Sequence, residues 1–386
     1  MKFIAIISIF LFSIIFITSL TLKKKDFFFF AGIEMIFLGF FIGPNSGNII
    51  TVGMQDQLKP LLYLGLGWIG LFYGMQFKWI TLRRTPWSSY ALVIVHSLLI
   101  LISFYVVWRV LLPVFGYHTN MDIWIIATMS AVSSPTAIAY FQTKYKIDSE
   151  NLYWGRFIPS IDDIIPLLCI GMLLSYSAHS SIPSSGVLFF LERTGIILGI
   201  SVIFGFLFYY LIQSASNRNE IFLYTLGMII LVSGISFYLN LSPLLICFFI
   251  GSGFTQVSRR SEIIFSVFSK VEHSFYLFFL LLVGVGFKPL IDGIILPLLL
   301  LVFIHAFIKI YSIKIFSVYY NSKNKPSSEL GWGLLAQGSM AVAFLVNYRE
   351  MTPGEHTGWI FSLLLYGMMI NEILSHLGLK RLEKLL

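Results

Sequence analysis

Two consecutive carboxylates lie inside an apolar stretch of this 386-residue chain. Asp162 and Asp163 interrupt a segment that is largely apolar from about Tyr153 to Tyr176. A carboxylate at the centre of a bilayer costs roughly 2.5–3.5 kcal/mol on insertion scales, so its presence there indicates a functional site. Two adjacent carboxylates in a low dielectric resist simultaneous ionisation, and they therefore need a partner charge, a proton or a cation.

The chemistry open to such a pair is ion exchange. A hard cation such as Na+ binds the charged carboxylate and takes further ligands from other oxygen atoms, whereas a proton binds the same group and neutralises it. Hydroxyl groups stand beside a proline in an earlier apolar stretch, at Ser133, Ser134 and Thr136. We predict that these oxygens, with nearby freed carbonyls, complete the shell of the cation. Competition between proton and cation for one carboxylate, exposed alternately to each side of a membrane, is antiport.

A lysine is predicted at the same depth as the two aspartates. Their span enters the bilayer near Tyr153, which puts Asp162 and Asp163 about 14 Å deep at 1.5 Å per residue. Lys309 lies ten residues before Tyr319, where its own span ends on the same side. An intramembrane lysine needs an anionic partner. Because consecutive helical residues diverge by about 100°, one aspartate is predicted to face Lys309 while the other faces a cavity. The alternative is a buried ion pair that only holds helices together.

The composition is that of a membrane protein. Hydrophobic residues make up 57% of the chain, charged residues only 11%, and the mean hydropathy is +0.86, whereas soluble proteins carry about 25% charged residues. The predicted fold class is therefore an all-α polytopic membrane protein. The connections are short, so no soluble module is expected, and two cysteines in apolar spans exclude a disulfide framework. Windows of about 20 apolar residues give thirteen candidate spans, at approximately 3–22, 26–43, 57–76, 88–113, 121–141, 153–176, 186–213, 220–238, 242–256, 266–287, 290–318, 329–347 and 356–378.

Basic residues fall mainly on one predicted side of the membrane. Loops on that side and the C-terminus hold seventeen lysines and arginines, whereas the opposite side holds only Lys2, Lys288 and Arg349. The positive-inside rule places the C-terminus in the cytoplasm and the N-terminus outside. We expect an integral protein of a bacterial inner membrane. The formal net charge of +8 reflects this topology, and no nucleic-acid partner is expected.

Two of the predicted spans contain helix-weakening residues. The fifth contains Ser130-Ala-Val-Ser-Ser-Pro-Thr136, and the twelfth contains Ala336-Gln-Gly-Ser-Met340. Pro135 has no N–H and clashes with the carbonyl of residue 131, so that backbone oxygen is freed. Gly338 weakens its helix by about 1 kcal/mol relative to alanine and permits unwinding.

The two interruptions occupy equivalent positions if spans 2–6 and 9–13 form two five-helix repeats. Both then fall in the fourth helix of a repeat, and an odd number of helices makes the copies topologically inverted. Broken helices at corresponding positions of inverted repeats indicate the binding site of a secondary transporter. The alternative is a pair of independent kinks. The residues predicted to form the broken-helix crossover are Pro135, Gln337, Gly338 and Ser339.

Five segments of the chain match motifs of one transporter family. They are Ser160-Ile-Asp-Asp-Ile-Ile165, Phe278-Phe-Leu-Leu-Leu-Val-Gly-Val-Gly-Phe287, Gly331-Trp-Gly-Leu-Leu-Ala-Gln-Gly338, Gly39-Phe-Phe-Ile-Gly-Pro44 and Ser242-Pro-Leu-Leu-Ile-Cys-Phe-Phe-Ile-Gly251. In these segments the chain resembles monovalent cation:proton antiporters of the bacterial Na+/H+ exchanger type. The resemblance implies a homodimer in which a core with two crossed broken helices moves like an elevator against a dimerisation domain. It also implies that Asp163 carries the ion and that Asp162 pairs with Lys309.

The same resemblance gives the expected domain organisation. Residues 1–87 and 214–288 are predicted to form the dimerisation or scaffold helices, and residues 88–178 and 289–386 the ion-translocating core. Residues 186–213 are predicted to form a linker helix between them.

The predicted function is secondary active antiport of a monovalent cation against H+, with no cofactor and no enzymatic activity. Na+ is favoured over Li+ or K+; the alternatives are a K+/H+ antiporter and a sodium-coupled symporter of a small organic anion. An intramembrane aspartyl protease would need two aspartates on different helices, and a passive channel conflicts with the inverted repeats. His305, four residues before Lys309 and on the same helix face, is either a satisfied core histidine or a pH sensor. Membrane lipids are the other expected partners.

Overall fold

A computed structural model describes residues 32–78, 86–116, 120–134, 149–177, 186–258, 260–289, 293–319, 330–352 and 354–383. Within these ranges the regular structure is entirely helical, with fourteen α-helices, one short 3₁₀ helix and no strand. The prediction of an all-α protein is confirmed.

The helices are named here in chain order. They are α1 (Ile33–Ile42), α2 (Val52–Met75), α3 (Trp87–Leu111, continued by the 3₁₀ helix Leu112–Phe115), α4 (Asn120–Ala131), α5 (Ser149–Asp162), α6 (Ile164–Ser177), α7 (Gly186–Ser214), α8 (Arg218–Tyr238), α9 (Pro243–Val257), α10 (Ser261–Val285), α11 (Ile295–Tyr319), α12 (Leu330–Gly333), α13 (Gly338–Met351) and α14 (Glu355–Glu383).

The fourteen helices correspond to twelve of the thirteen predicted spans, because two of these twelve are each divided into two helices. Span 153–176 becomes α5 and α6, which are separated at Asp163, and span 329–347 becomes α12 and α13, which are separated by residues 334–337. Span 3–22 lies outside the described residues. The thirteen-span count and the inverted repeats therefore stay predictions.

Six helical segments of the described chain are long and apolar enough to cross a membrane. They are Trp87–Phe115, Phe157–Ser175, Leu188–Ser214, Arg218–Tyr238, Ile295–Ile315 and His356–Gly378. Two shorter apolar segments, Pro243–Val257 and Ser274–Val285, have the same character. Large exposed hydrophobic side chains cover α3, α7 and α8, as expected where helices face lipid tails.

Helices α2 and α9 pack backbone against backbone. A Cβ atom at Gly70 would collide with the carbonyl oxygen of Leu244, and one at Gly74 with that of Phe248. Only glycine permits this approach, so the pair forms a rigid unit. Helices α8 and α10 also pack on α2, and α1 packs on α10.

Helices α3–α6 and α11–α14 form a second group around the aspartates, and α7 packs on α8 and α9 of the first group and on α6 of the second. Helix α3 packs on α4, α5 and α11, and α14 packs on α4, α11, α12 and α13. The division into scaffold and core stays a prediction, although these contacts place α4, α6 and α13 together at the centre of the second group.

The connection from α8 to α9 is a tight turn built by its side chains. Asn240 adopts a left-handed conformation with φ of 49°, which asparagine tolerates better than most residues. Ser242 then caps α9 by accepting a hydrogen bond from Leu245 N at 3.3 Å. Pro243 occupies the first helical position, where a missing N–H costs nothing.

Candidate ion-binding site

The two aspartates lie at a break in their span. Helix α5 ends at Asp162 and α6 begins at Ile164, so Asp163 occupies a turn between them. Asp162 is fully buried and Asp163 is 1% exposed. Pro166 lacks an N–H and leaves the Asp162 carbonyl without its helical partner. Ser97 of α3 supplies the missing donor, with its hydroxyl 2.9 Å from that oxygen.

The broken fifth span ends in a set of backbone carbonyls that side chains satisfy. Helix α4 stops at Ala131, and residues 132–134 are not helical. The last carbonyls of a helix have no intrahelical partner and carry its negative dipole end. The four consecutive carbonyls of residues 129–132 each accept a hydrogen bond from a buried side chain. The bonds run from Gln337 Nε2 to Met129 O (2.6 Å), from His305 Nε2 to Ser130 O (3.1 Å), and from Lys309 Nζ to Ala131 O (2.8 Å) and Val132 O (3.1 Å).

Ser133 contacts all three charged groups of the site. Its hydroxyl accepts a hydrogen bond from Lys309 Nζ at 2.6 Å and donates one to Asp162 Oδ2 at 2.9 Å. Its backbone N–H donates to Asp163 Oδ1 at 3.2 Å. The interaction between Lys309 and Asp162 therefore runs through a hydroxyl, and none of the ion pairs found between described residues joins the two directly.

One carboxylate oxygen at the site has no hydrogen-bond partner among the described residues. Asp162 Oδ1 is buried and accepts no hydrogen bond from the described part of the chain. A buried carboxylate oxygen without a donor is unfavourable unless it holds a proton or a cation. The arrangement therefore leaves one acceptor open for such a ligand.

The two chain interruptions meet beside the aspartates. Ser134 N donates to Ala336 O at 2.7 Å. Gly338 begins α13 with φ of +63°, and a Cβ there would lie 2.5 Å from Ser134 Oγ. This left-handed conformation and the close approach explain the glycine. Ser339 follows in the first turn of α13 and is half-buried.

The structure thus brings together Asp162, Asp163, Ser133, Ser134, Lys309, Gln337 and Gly338. Pro135 and Thr136 were also predicted at this site, but they lie outside the described residues. The role of each residue in binding an ion stays a prediction.

Sequence reasoning missed Glu372 of α14. Its carboxylate lies near the backbone N–H of Gln337, just before α13 begins. A negative charge near a helix N-terminus is favourable, so Glu372 complements Lys309, which lies at the C-terminus of α4. A single carboxylate inside the predicted span 356–378 was the signal that could have identified it.

Comparison with solved structures identifies the fold. The sodium proton antiporter MjNhaP1 from Methanocaldococcus jannaschii, in a structure at pH 8, matches with a TM-score of 0.69 at 14% identity, over 100% of this chain and 98% of that chain. An electron-microscopy structure of the same antiporter matches with a TM-score of 0.65 at 13% identity, over 98% of this chain and 95% of that chain. At these identities the likeness establishes the fold alone.

The family is established by the sequence. Residues 5–372 match the family model described as sodium/hydrogen exchanger, transmembrane. The chain belongs to the sodium/hydrogen exchanger family, and the predicted family is confirmed. It is accordingly an integral membrane transporter for cation:proton antiport. No curated protein matches the sequence.

Proposed function

We propose that the chain exchanges Na+ for H+ by alternating access and that the two ions compete for Asp163. The observation that carries this proposal is the placement of Ser133 between Asp162, Asp163 and Lys309, all in nearly water-free surroundings. Two adjacent carboxylates and one buried lysine leave the site with a net negative charge when all three are ionised. A single proton or a single monovalent cation neutralises that charge.

Competition follows from the geometry around Asp163. Its Oδ1 already accepts the Ser133 N–H, so its remaining lone pairs are available to one ligand. A proton removes the charge that a cation needs, and a bound cation opposes protonation electrostatically. Ser134 follows Ser133, whose N–H is bonded to Asp163, so Ser134 and the oxygens of the unwound segments are the candidates for further ligands.

We also propose that the core moves against the scaffold during transport. The core comprises residues 88–178 and 289–386, and the scaffold comprises residues 1–87 and 214–288. The backbone contact between α2 and α9 supports a rigid scaffold, and the bonds from α11 and α13 to α4 support a core that moves as a unit. We place the N-terminus outside and the C-terminus in the cytoplasm of a bacterial cell, with the scaffold forming a homodimer interface.

The proposal is tested by transport in proteoliposomes. The purified protein is reconstituted with an imposed ΔpH, and its dissipation is followed with Na+, Li+ and K+ in turn at several pH values. We expect Na+ to dissipate the gradient in the wild type and Asp163→Asn to abolish this activity. The control is Asp56→Asn, since Asp56 pairs with Lys59 on the surface with its side chain 61% exposed.

Each outcome has a defined meaning. Full activity in Asp163→Asn refutes the assignment of the carrier residue. If K+ alone dissipates the pH gradient, the transported cation is K+ and not Na+, and competition with the proton at Asp163 still holds. Uptake of Na+ together with an organic anion, without movement of protons, would establish the symporter instead.

A further inference from the structure

We propose that the hydrogen bond between Ser242 and Asn347 is a latch that holds the present arrangement of helices and opens in every transport cycle. This inference rests on the proposed movement of core against scaffold. It assigns to two residues, both remote from the aspartates, control over which side of the membrane the site faces.

The latch is a buried polar contact between three helices. Asn347 Nδ2 of α13 donates to Ser242 Oγ at 2.8 Å. Both residues are fully buried. The backbone N–H of Ser242 also points to Ser175 Oγ of α6, at 3.4 Å. The N-terminus of α9 is therefore bonded to α13 and to α6.

These bonds connect the two groups of helices. Helix α9 is fixed to α2 by the backbone contacts at Gly70 and Gly74, which cannot slide without a collision. Helix α6 follows directly on Asp163, and α13 begins at the crossover residue Gly338. The contact of α9 with α6 and α13 therefore lies between the proposed scaffold and the helices that hold the ion site. Relative movement of the two groups would therefore disturb the Ser242–Asn347 bond, together with the bond from Tyr73 Oη of α2 to Ser160 O of α5 at 3.1 Å, which also joins them.

Asn347 is only partly satisfied in the present arrangement. Its Oδ1 is buried and has no hydrogen-bond partner among the described residues. A buried acceptor without a donor is unfavourable. A second arrangement that offers Oδ1 a donor would compensate for the loss of the Nδ2 bond.

The test is reversible cross-linking of the two positions. The double variant Ser242→Cys/Asn347→Cys is built in a background where the native cysteines Cys169 and Cys247 are replaced by alanine. We expect oxidation, or a short bifunctional thiol reagent, to lower transport in proteoliposomes by at least about tenfold, because the movement between states is blocked. Reduction should restore it. Unchanged transport in the fully cross-linked protein overturns the proposal.

A cross-link inside the scaffold tests whether loss of transport is specific to cross-links between scaffold and core. Lys78, three residues after the end of α2, and Glu262 of α10 form a surface ion pair at 2.8 Å, and both lie in the proposed scaffold. The variant Lys78→Cys/Glu262→Cys in the same background should cross-link without loss of transport, and equal inhibition by both cross-links would also overturn the latch. Absence of cation:proton exchange in the reduced background itself would instead contradict the proposed function.

A second variant tests the same idea if the double cysteine variant does not fold. Asn347→Leu removes the bond and depopulates the present arrangement. Apparent affinity scales with the populated fraction of the binding-competent state, so the cation KM should rise on one side of the membrane and fall on the other, by about threefold each. Equal changes on both sides, or none, contradict a latch and indicate a structural role.

Discussion

Replacement of Lys309 by methionine tests the central polar cluster most directly. The ammonium group donates three hydrogen bonds, to the carbonyls of Ala131 and Val132 and to the Ser133 hydroxyl. Lys309→Met keeps the apolar length of the side chain and removes every donor. Two carbonyls at the negative end of α4 then lose their partner, and Asp162 loses the nearby positive charge.

The expected loss of stability is a few kilocalories per mole. Hydrogen bonds between transmembrane helices contribute about 0.6 kcal/mol on average and at most about 1.7, so three of them give roughly 2–5 kcal/mol. Removal of one partner from a buried charged pair costs about 3–5 kcal/mol, which agrees with that range. We therefore expect Lys309→Met to lower the free energy of unfolding by about 2–5 kcal/mol.

The assay is unfolding by SDS titration in mixed micelles, with Lys314→Met as the control. Lys314 lies one and a half turns further along α11, is exposed, and has its ammonium 5.1 Å from the centre of the Tyr311 ring. An exposed contact of this kind contributes about 0.5–1 kcal/mol. If the two lysine variants lose the same free energy of unfolding, the capping role of Lys309 is wrong.

Two further substitutions test the crossover. Gly338→Ala must place a Cβ at φ of +63° and against the Ser134 side chain. We therefore expect thermal unfolding to show that the free energy of unfolding falls by about 1–2 kcal/mol. The control Gly199→Ala, with open space around the new Cβ, should leave that free energy unchanged or raise it by up to about 1 kcal/mol. Gln337→Leu removes the donor to Met129 O, and Gln337→Glu also adds a negative charge that faces this oxygen. Transport rates should therefore fall from the wild type to the Leu variant and further to the Glu variant. A Glu variant as active as the Leu variant would contradict the capping of α4 by the Gln337 amide.

The break in the fifth span followed from local rules of the backbone. Proline at position 135 predicts that the carbonyl of residue 131 lacks a helical partner, and Ala131 O is found bonded to Lys309. Gly338 was predicted to permit unwinding, and α13 begins there in a left-handed conformation. Such features depend on residues that are close in sequence, so a single chain is enough to predict them.

The contacts of the site depend on distant parts of the chain and were harder to predict. Counting residues along two spans gives the depth of Lys309 and Asp162, but not the rotation of their helices. The sequence therefore predicts that Lys309 pairs with Asp162, but not that the Ser133 hydroxyl lies between them. The partner of His305, the Ser130 carbonyl, could not be predicted for the same reason.

The position of Ser133 limits how the transporter can diverge. The Ser133 hydroxyl and backbone N–H form hydrogen bonds with Lys309, Asp162 and Asp163. A substitution at position 133 therefore alters the surroundings of all three charged groups together. In a deep mutational scan, substitutions at position 133 should give correlated losses in stability, proton coupling and ion preference. A descendant with a different ion preference would therefore be expected to reach it through paired changes, at position 133 together with 162 or 309.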